Sequence, residues 1–264
     1  DESLYQEAVK YLDTNHRSVT CTSEDIADFF PKVVWQSEIP LLRTAPVPMM
    51  ILSKLVRDNN IKVVITGEGS DEILAGYDIF REAKIRRFWA SQPESKIRPL
   101  LLKTIYPDIP HLRNANPGIL KMFFGFRLNE TGNPFYSHLL RWNNSNHILK
   151  NLSPEYKEKL QGYSPVDELH EKLPDGYGKW DDLAKAQWLE TTIFMSGYLL
   201  SSQGDRMAMA NSVEGRYPFL DYRVIEFCSK LQPEFKLKGL NEKYLLKKLM
   251  AGKIPESIIK RPKQ

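Results

Sequence analysis

Lys62-Val63-Val64-Ile65-Thr66-Gly67-Glu68-Gly69-Ser70-Asp71-Glu72 is the stretch from which the fold reads outward. Val63 to Thr66 are apolar or β-branched without a break, the pattern of a short strand buried on both faces, as in a parallel sheet. Gly67 and Gly69 then allow a tight turn. Ser70, Asp71 and Glu72 suit an N-cap and an acidic first helical turn, and Ile73, Leu74 and Tyr77 follow at helical spacing. In an open α/β sheet, ligands bind beyond the carboxyl ends of strands at such junctions. Glycines permit close backbone approach, and free amides at a helix start favour a phosphate or carboxylate. A lone Gly-x-Gly is weak evidence, since any tight strand-to-helix turn wants it. The acids say more. Glu68 comes too early to serve the helix, whereas Asp71 and Glu72 could simply complement its dipole. Three acids beside an anion site make sense if a metal ion or an amine binds there too.

Upstream, Leu4, Ala8, Val9 and Leu12 form an apolar stripe that predicts a helix over 3–13. Arg17 to Thr22 is β-prone and reads as a second strand. Ser23-Glu24-Asp25 caps a helix from Ile26 towards Gln36, which Pro31 is expected to interrupt. After a proline-rich stretch, Met49 to Asn59 reads as a helix with Ile51, Leu55 and Val56 inward. The alternation of helices and strands implies βαβ units and a right-handed parallel sheet.

Downstream of Ile79 the strand signals fade. Residues 79–91 and 95–105 read as basic helices, carrying Arg81, Lys84, Arg86, Arg87, Lys96 and Arg98. They present either a phosphate-facing surface or a solvated face. Residues 107–135 read as a connector around a short apolar helix, Ile119 to Phe126, whose Phe123, Phe124 and Phe126 are expected in the core. Two short helices split near Gly162 follow. A long amphipathic helix begins at Trp180 and ends or bends at Gly197. Asp205, Arg206, Glu214, Arg216 and Asp221 could form one ion-pair network, with Asp221 also capping the next helix. Helices are expected over Tyr222–Leu231 and Glu242–Met250.

With 264 residues the chain makes one large or two small domains, and 42% hydrophobic residues suffice for a core. A net charge of +4 does not argue for nucleic acid or a membrane surface. Cys21 and Cys228 lie far apart and read as buried hydrophobes of a reducing cytosol. No apolar run approaches the ~20 residues of a membrane span.

Thr66-Gly67-Glu68-Gly69-Ser70-Asp71-Glu72 with Gly76-Tyr77 resembles the synthetase domain of glutamine-dependent asparagine synthetases. Four further blocks match in order: Asp205-Arg206-Met207-Ala208-Met209; Val213-Glu214-Gly215-Arg216 with Pro218-Phe219-Leu220-Asp221; Lys243-Tyr244-Leu245-Leu246; and Arg261-Pro262-Lys263-Gln264. Residues 79–189 match only loosely. The family's Ser-Gly-Gly-x-Asp-Ser pyrophosphate loop does not occur here. The chain is therefore expected to be part of a longer protein, and inactive as this piece.

The resemblance implies an α/β fold of the adenine-nucleotide α-hydrolase type, few of whose parallel strands fall in this sequence. Residues 1–78 would be part of the nucleotide-binding portion and 79–264 its mainly helical remainder. It implies a carbon–nitrogen ligase that uses ATP and Mg²⁺ to adenylate L-aspartate, then adds ammonia from a glutaminase domain not present here. Thr66, Gly67 and Asp71 would bind ATP, Asp71 also Mg²⁺. Glu68 would be the base and Lys243 the catalytic cation. Glu72, Asp205 and Arg206 would bind the acid: an Arg can hold a carboxylate bidentately and an acid can hold an α-amine. His16 lies near the site by resemblance, or is a solvated or core histidine. Arg261 and Lys263 either close over phosphates or belong to a tail. A cytoplasmic protein is expected, and a homodimer is compatible with the resemblance. The competing readings are an amidotransferase or β-lactam synthetase acting on another acid, and a non-catalytic nucleotide-binding protein.

Overall fold

The computed structural model describes residues 2–261, with side chains from Gln6 onward. Lys263, named above for the phosphates, lies outside them, as do Pro262 and Gln264. The chain is mostly helical with one small parallel sheet and divides into two compact units. The first comprises the residues up to Tyr77 together with those from Gln187 onward; the second is Asp78–Ala186.

The first unit opens with α1 (Glu2–Leu12), α2 (Ser23–Ser37) and α3 (Pro46–Asp58). Then come the strand β1 (Val63–Ile65) and the one-turn helix α4 (Ser70–Ile73). The predicted strand at Arg17–Thr22 does not form. Thr22 instead caps α2: its hydroxyl accepts from the Asp25 amide at 3.1 Å, and the Asp25 carboxylate accepts from the Thr22 amide at 2.8 Å. The second strand is β2 (Glu214–Arg216), parallel to β1 with Val64 opposite Gly215. The ladder runs past both ends, with Glu214 donating to Lys62 O and Thr66 to Arg216 O.

β1 is not buried on both faces, as its apolar run implied: Val63 is 46% exposed and Ile65 76%. A two-stranded sheet offers few neighbours to cover both sides. Pro31 does not interrupt α2. Its fixed φ suits a helix, and the lost amide bond is outweighed by fully buried Val33, which packs with Val47, Met50 and Met207. On α3 the buried residues include Val47, Met50 and Ser53; Ile51 packs against the same cluster as expected, and Leu55 and Val56 are half-buried.

The helix does not end at Gly197. An α-helical start, Asp182–Leu189, continues as a π-helical stretch, Glu190–Asp205. Ser196 donates its hydroxyl to Thr192 O, and Ser201 donates to Gly197 O at 3.0 Å. Such bonds compete with the serines' own amides for the i−4 carbonyls and favour a wider turn. Helices Tyr222–Ser229 and Tyr244–Met250 form where expected. The first packs through Cys228 on Ile73 and Leu74.

In the second unit, the helix Asp78–Ala90 is largely buried, not solvated. Arg86 is 1% exposed and donates to the carbonyls of Phe124, Phe126 and Tyr136. The expected basic face is thus a core strut that satisfies loop carbonyls. The Tyr106 hydroxyl and both arms of Arg141 bond the buried Glu82 carboxylate. The short helix Pro117–Phe124 buries Phe124 but leaves Phe123 and Phe126 exposed.

Candidate functional site

β1 and β2 are parallel, so Thr66-Gly67-Glu68 and Tyr217 leave the same end of the sheet. A pocket of about 260 Å³ opens there, in the first unit. Its walls are mostly apolar, from Met49, Leu52 and Val56 of α3 together with Val64, Ala208 and Val213. Polar groups enter at one end: Thr66, Glu68 and Tyr217. The Thr66 hydroxyl is buried with no hydrogen-bond partner among the described residues, so it can serve something placed in the pocket.

The turn after β1 leads into a helix with the expected acidic first turn, but Gly69, not Ser70, is its N-cap, and no side chain caps it. Gly69 has φ +87°, and a Cβ there would lie 2.2 Å from Leu220 Cδ2. Both the left-handed backbone and the approach of Leu220 need glycine. The helix that follows is a single turn, closed when Gly76 donates to Asp71 O at 2.8 Å. One turn carries little dipole. Cationic charge comes instead from Lys243.

Lys243 reaches this turn from 167 residues beyond Gly76 in the chain. Its ammonium lies 3.0 Å from Asp71 Oδ1 and donates to Ser70 Oγ at 3.0 Å. Both partners of the ion pair are largely buried. The Lys243 backbone sits in the left-handed region at φ 48° and donates to Leu74 O at 3.2 Å. A lysine held in that conformation is the kind of strain that clusters at functional positions. Gly76 makes the pair possible, because a Cβ there would lie 2.0 Å from Asp71 Oδ1 and 2.3 Å from Lys243 Cε.

Glu72 is 1% exposed and accepts from the Tyr77 hydroxyl at 2.8 Å. Burial raises its carboxyl above the usual range, against the lowering effect of the Tyr77 bond. Burial raises the Tyr77 hydroxyl too, with the Glu72 charge adding to it. The backbone of this turn is braced by residues distant in the chain. Gln187 Nε2 donates to Glu72 O at 2.5 Å and Ile73 O at 2.7 Å, and Lys236 Nζ donates to Gln187 Oε1 at 3.1 Å.

The structure thus brings Asp71 and Lys243 together, with Thr66, Gly67 and Glu68 on the same turn. Asp205 and Arg206 diverge. Asp205 accepts from the Tyr217 hydroxyl at 2.5 Å, beside Glu68. Arg206 donates to Ser37 O at the end of α2, and Glu72 lies inside, bonded to Tyr77. The expected single ion-pair network is three separate contacts: Arg216 with Glu214, Asp221 with Arg223, and Asp205 with Tyr217. Asp221 does cap its helix, accepting from the Arg223 amide. Tyr217 and Gln187 carried no weight in the sequence reading, and Gly76 entered it only as part of the Gly76-Tyr77 match.

A mostly helical α/β protein whose candidate site lies at the carboxyl ends of parallel strands is the class defined so far. The chain belongs to the asparagine synthase family, whose model matches residues 1–264. It is similar to Amidase chyE of Penicillium rubens, 30% identical over 98% of this chain and 40% of that protein. Asparagine synthetase (glutamine-hydrolyzing) 1 of Bacillus subtilis is 29% identical over 98% of this chain and 38% of its own length. Amidase chry2 of Gibberella zeae is 25% identical over 98% of this chain and 40% of its own. The chain therefore spans about two fifths of the length of these relatives. Among the described residues, no helix is long and apolar enough to cross a membrane.

Proposed function

We propose that this chain is the synthetase part of an ATP-dependent, amide-forming ligase built on the adenine-nucleotide α-hydrolase plan. It adenylates the side-chain carboxylate of L-aspartate, releases pyrophosphate, and passes the acyl group to ammonia supplied by glutamine hydrolysis, giving asparagine and AMP. The observation that carries this reading is the Asp71–Lys243 ion pair on the turn that leaves β1, the turn whose Thr66 and Glu68 line the apolar pocket.

The pocket suits an adenine ring: its walls are mostly apolar, and the buried Thr66 hydroxyl offers a polar contact, with the Gly67 backbone next to it in the chain. Charge builds on phosphorus oxygens in the first step and on the acyl oxygen in the second. Lys243 supplies the fixed cation for both, a contact whose loss typically costs ~10²–10³ in rate. Glu68 takes the proton that the attacking nitrogen sheds. Asp205 holds the substrate ammonium.

Among the described residues, no group of three or more His, Cys, Asp or Glu is placed to hold a metal ion. Mg²⁺ carried chiefly by ATP phosphates needs only one or two carboxylates, and Asp71 is the carboxylate proposed for it. When bound, Mg²⁺ neutralises phosphate charge. Asp71 meanwhile keeps the Lys243 ammonium at the turn.

Glu68→Gln tests the reading in the complete gene product. Pyrophosphate exchange into ATP should continue, while amide formation falls by about 10²-fold or more. Unchanged amide formation removes Glu68 from the role of base. Two relatives are named amidases, which favours as the second reading an amide-forming ligase acting on another acid. A panel of carboxylic acids in the exchange assay separates the two.

A further inference from the structure

We propose that Tyr217 is a positioning residue of this site: its phenol holds the Asp205 carboxylate in the orientation that receives the α-ammonium of the acid substrate. The assignment rests on the reading of Asp205 given above and adds the residue that makes that carboxylate effective.

Asp205 is exposed, at the last position of the π-helical stretch. A carboxylate so placed samples several rotamers, and each would present its charge differently. Tyr217 removes that freedom with a bond of 2.5 Å to Oδ1.

One glycine shows that this is a built arrangement. Gly215 lies in β2 two residues before Tyr217, so a side chain there would share its face. A Cβ at Gly215 would lie 2.3 Å from the phenolic oxygen and 2.6 Å from Cζ. At Gly204, next to Asp205, a Cβ would lie in ordinary contact, 3.7 Å from the same oxygen. The ring therefore folds back over its own strand into space that glycine leaves, and the hydroxyl arrives at Asp205.

The phenol also stays a donor. Burial raises its pKa, and the Asp205 and Glu68 carboxylates raise it further. It is a pocket-lining residue beside Glu68, so the ammonium held by Asp205 lies on the side from which the proposed base works.

The test is L-aspartate-dependent pyrophosphate–ATP exchange in the complete gene product, with thermal melting in parallel. Tyr217→Phe keeps the ring and removes the hydroxyl. It should raise KM for L-aspartate about 10- to 100-fold, the range for losing a hydrogen bond to a charged group. KM for ATP should stay within about twofold, and the melting temperature should hold. Gly215→Ala should raise the same KM with the hydroxyl still present, because the added methyl displaces the ring. It should also lower the melting temperature. The double variant Gly215→Ala/Tyr217→Val should recover the melting temperature but not the KM.

If Tyr217→Phe leaves KM for L-aspartate unchanged while Asp205→Asn raises it, the role of Tyr217 is overturned and the reading of Asp205 stands. If neither variant moves it, both fall. If Tyr217→Phe lowers kcat, stability and both affinities together, the residue is structural and the proposal fails. Absence of L-aspartate-dependent exchange in the parent protein overturns the substrate on which the assignment rests.

Discussion

Gly76→Ala is the sharpest probe of the Asp71–Lys243 pair. The Gly76 backbone does not lie in the left-handed region, so alanine brings no backbone strain. Its only effect is the methyl, which would sit 2.0 Å from Asp71 Oδ1 and 2.3 Å from Lys243 Cε. Ordinary contact begins at 3.4 Å. The carboxylate must therefore retreat by roughly 1.4 Å and the lysine by roughly 1.1 Å. The two differ in how readily they yield. Asp71 has a short side chain on a turn that Gln187 fixes from behind. Lys243 is held at its backbone by Leu74 O, but its side chain can swing. The stability cost is then modest, about 1–2 kcal/mol. The chemical cost is larger, because misplacing a catalytic group by about 1 Å can cost ~10²-fold. Gly76→Ala should thus lower kcat for pyrophosphate–ATP exchange by about 10²-fold in a protein that still melts cooperatively. Exchange within twofold of the parent, in a folded variant, would refute the claim that Lys243 acts from the place where Asp71 holds it.

Two further outcomes follow from the buried groups behind the turn. The Glu72 carboxyl is raised by burial, so the folded state binds its proton more tightly than the unfolded chain does. Its stabilising contribution is therefore full below the unfolded value near 4.5 and is lost as pH rises through the folded pKa. Urea melts of the parent and Glu72→Gln at stepped pH should show a decline in the parent that the variant lacks. Parallel curves would remove Glu72 as its source. Gln187→Leu strips the donor from the carbonyls of Glu72 and Ile73 and should cost about 2–4 kcal/mol in urea unfolding; a loss below about 0.5 kcal/mol would mean that the brace is dispensable.

What could be read in the residues, and what could not, follows from the range of the forces involved. The turn from Thr66 to Glu72 is local: glycine where the backbone is left-handed, acids after it, apolar residues before it. It was legible for that reason. The strands were less so, because a strand needs a neighbour. Arg17–Thr22 has the β-prone residues and no ladder, while Glu214-Gly215-Arg216 has poor strand formers and pairs with β1 in register. Arg86 misled for a similar reason: a basic helix reads as solvated until loop carbonyls that need donors close around it. Tyr217 did leave a trace. Glycine two residues before a large aromatic on a strand leaves a hollow that the ring can fill by folding back, and Gly215-Arg216-Tyr217 is such a triplet. No trace of that kind marks Lys243, whose left-handed backbone depends on a bond to Leu74 and whose ammonium needs the hollow at Gly76. Two polar contacts at this site thus have an empty position beside them, at Gly76 for the lysine and at Gly215 for the phenol. Small residues flanking a charged turn are therefore a guide to its geometry, because they mark where a distant side chain must enter.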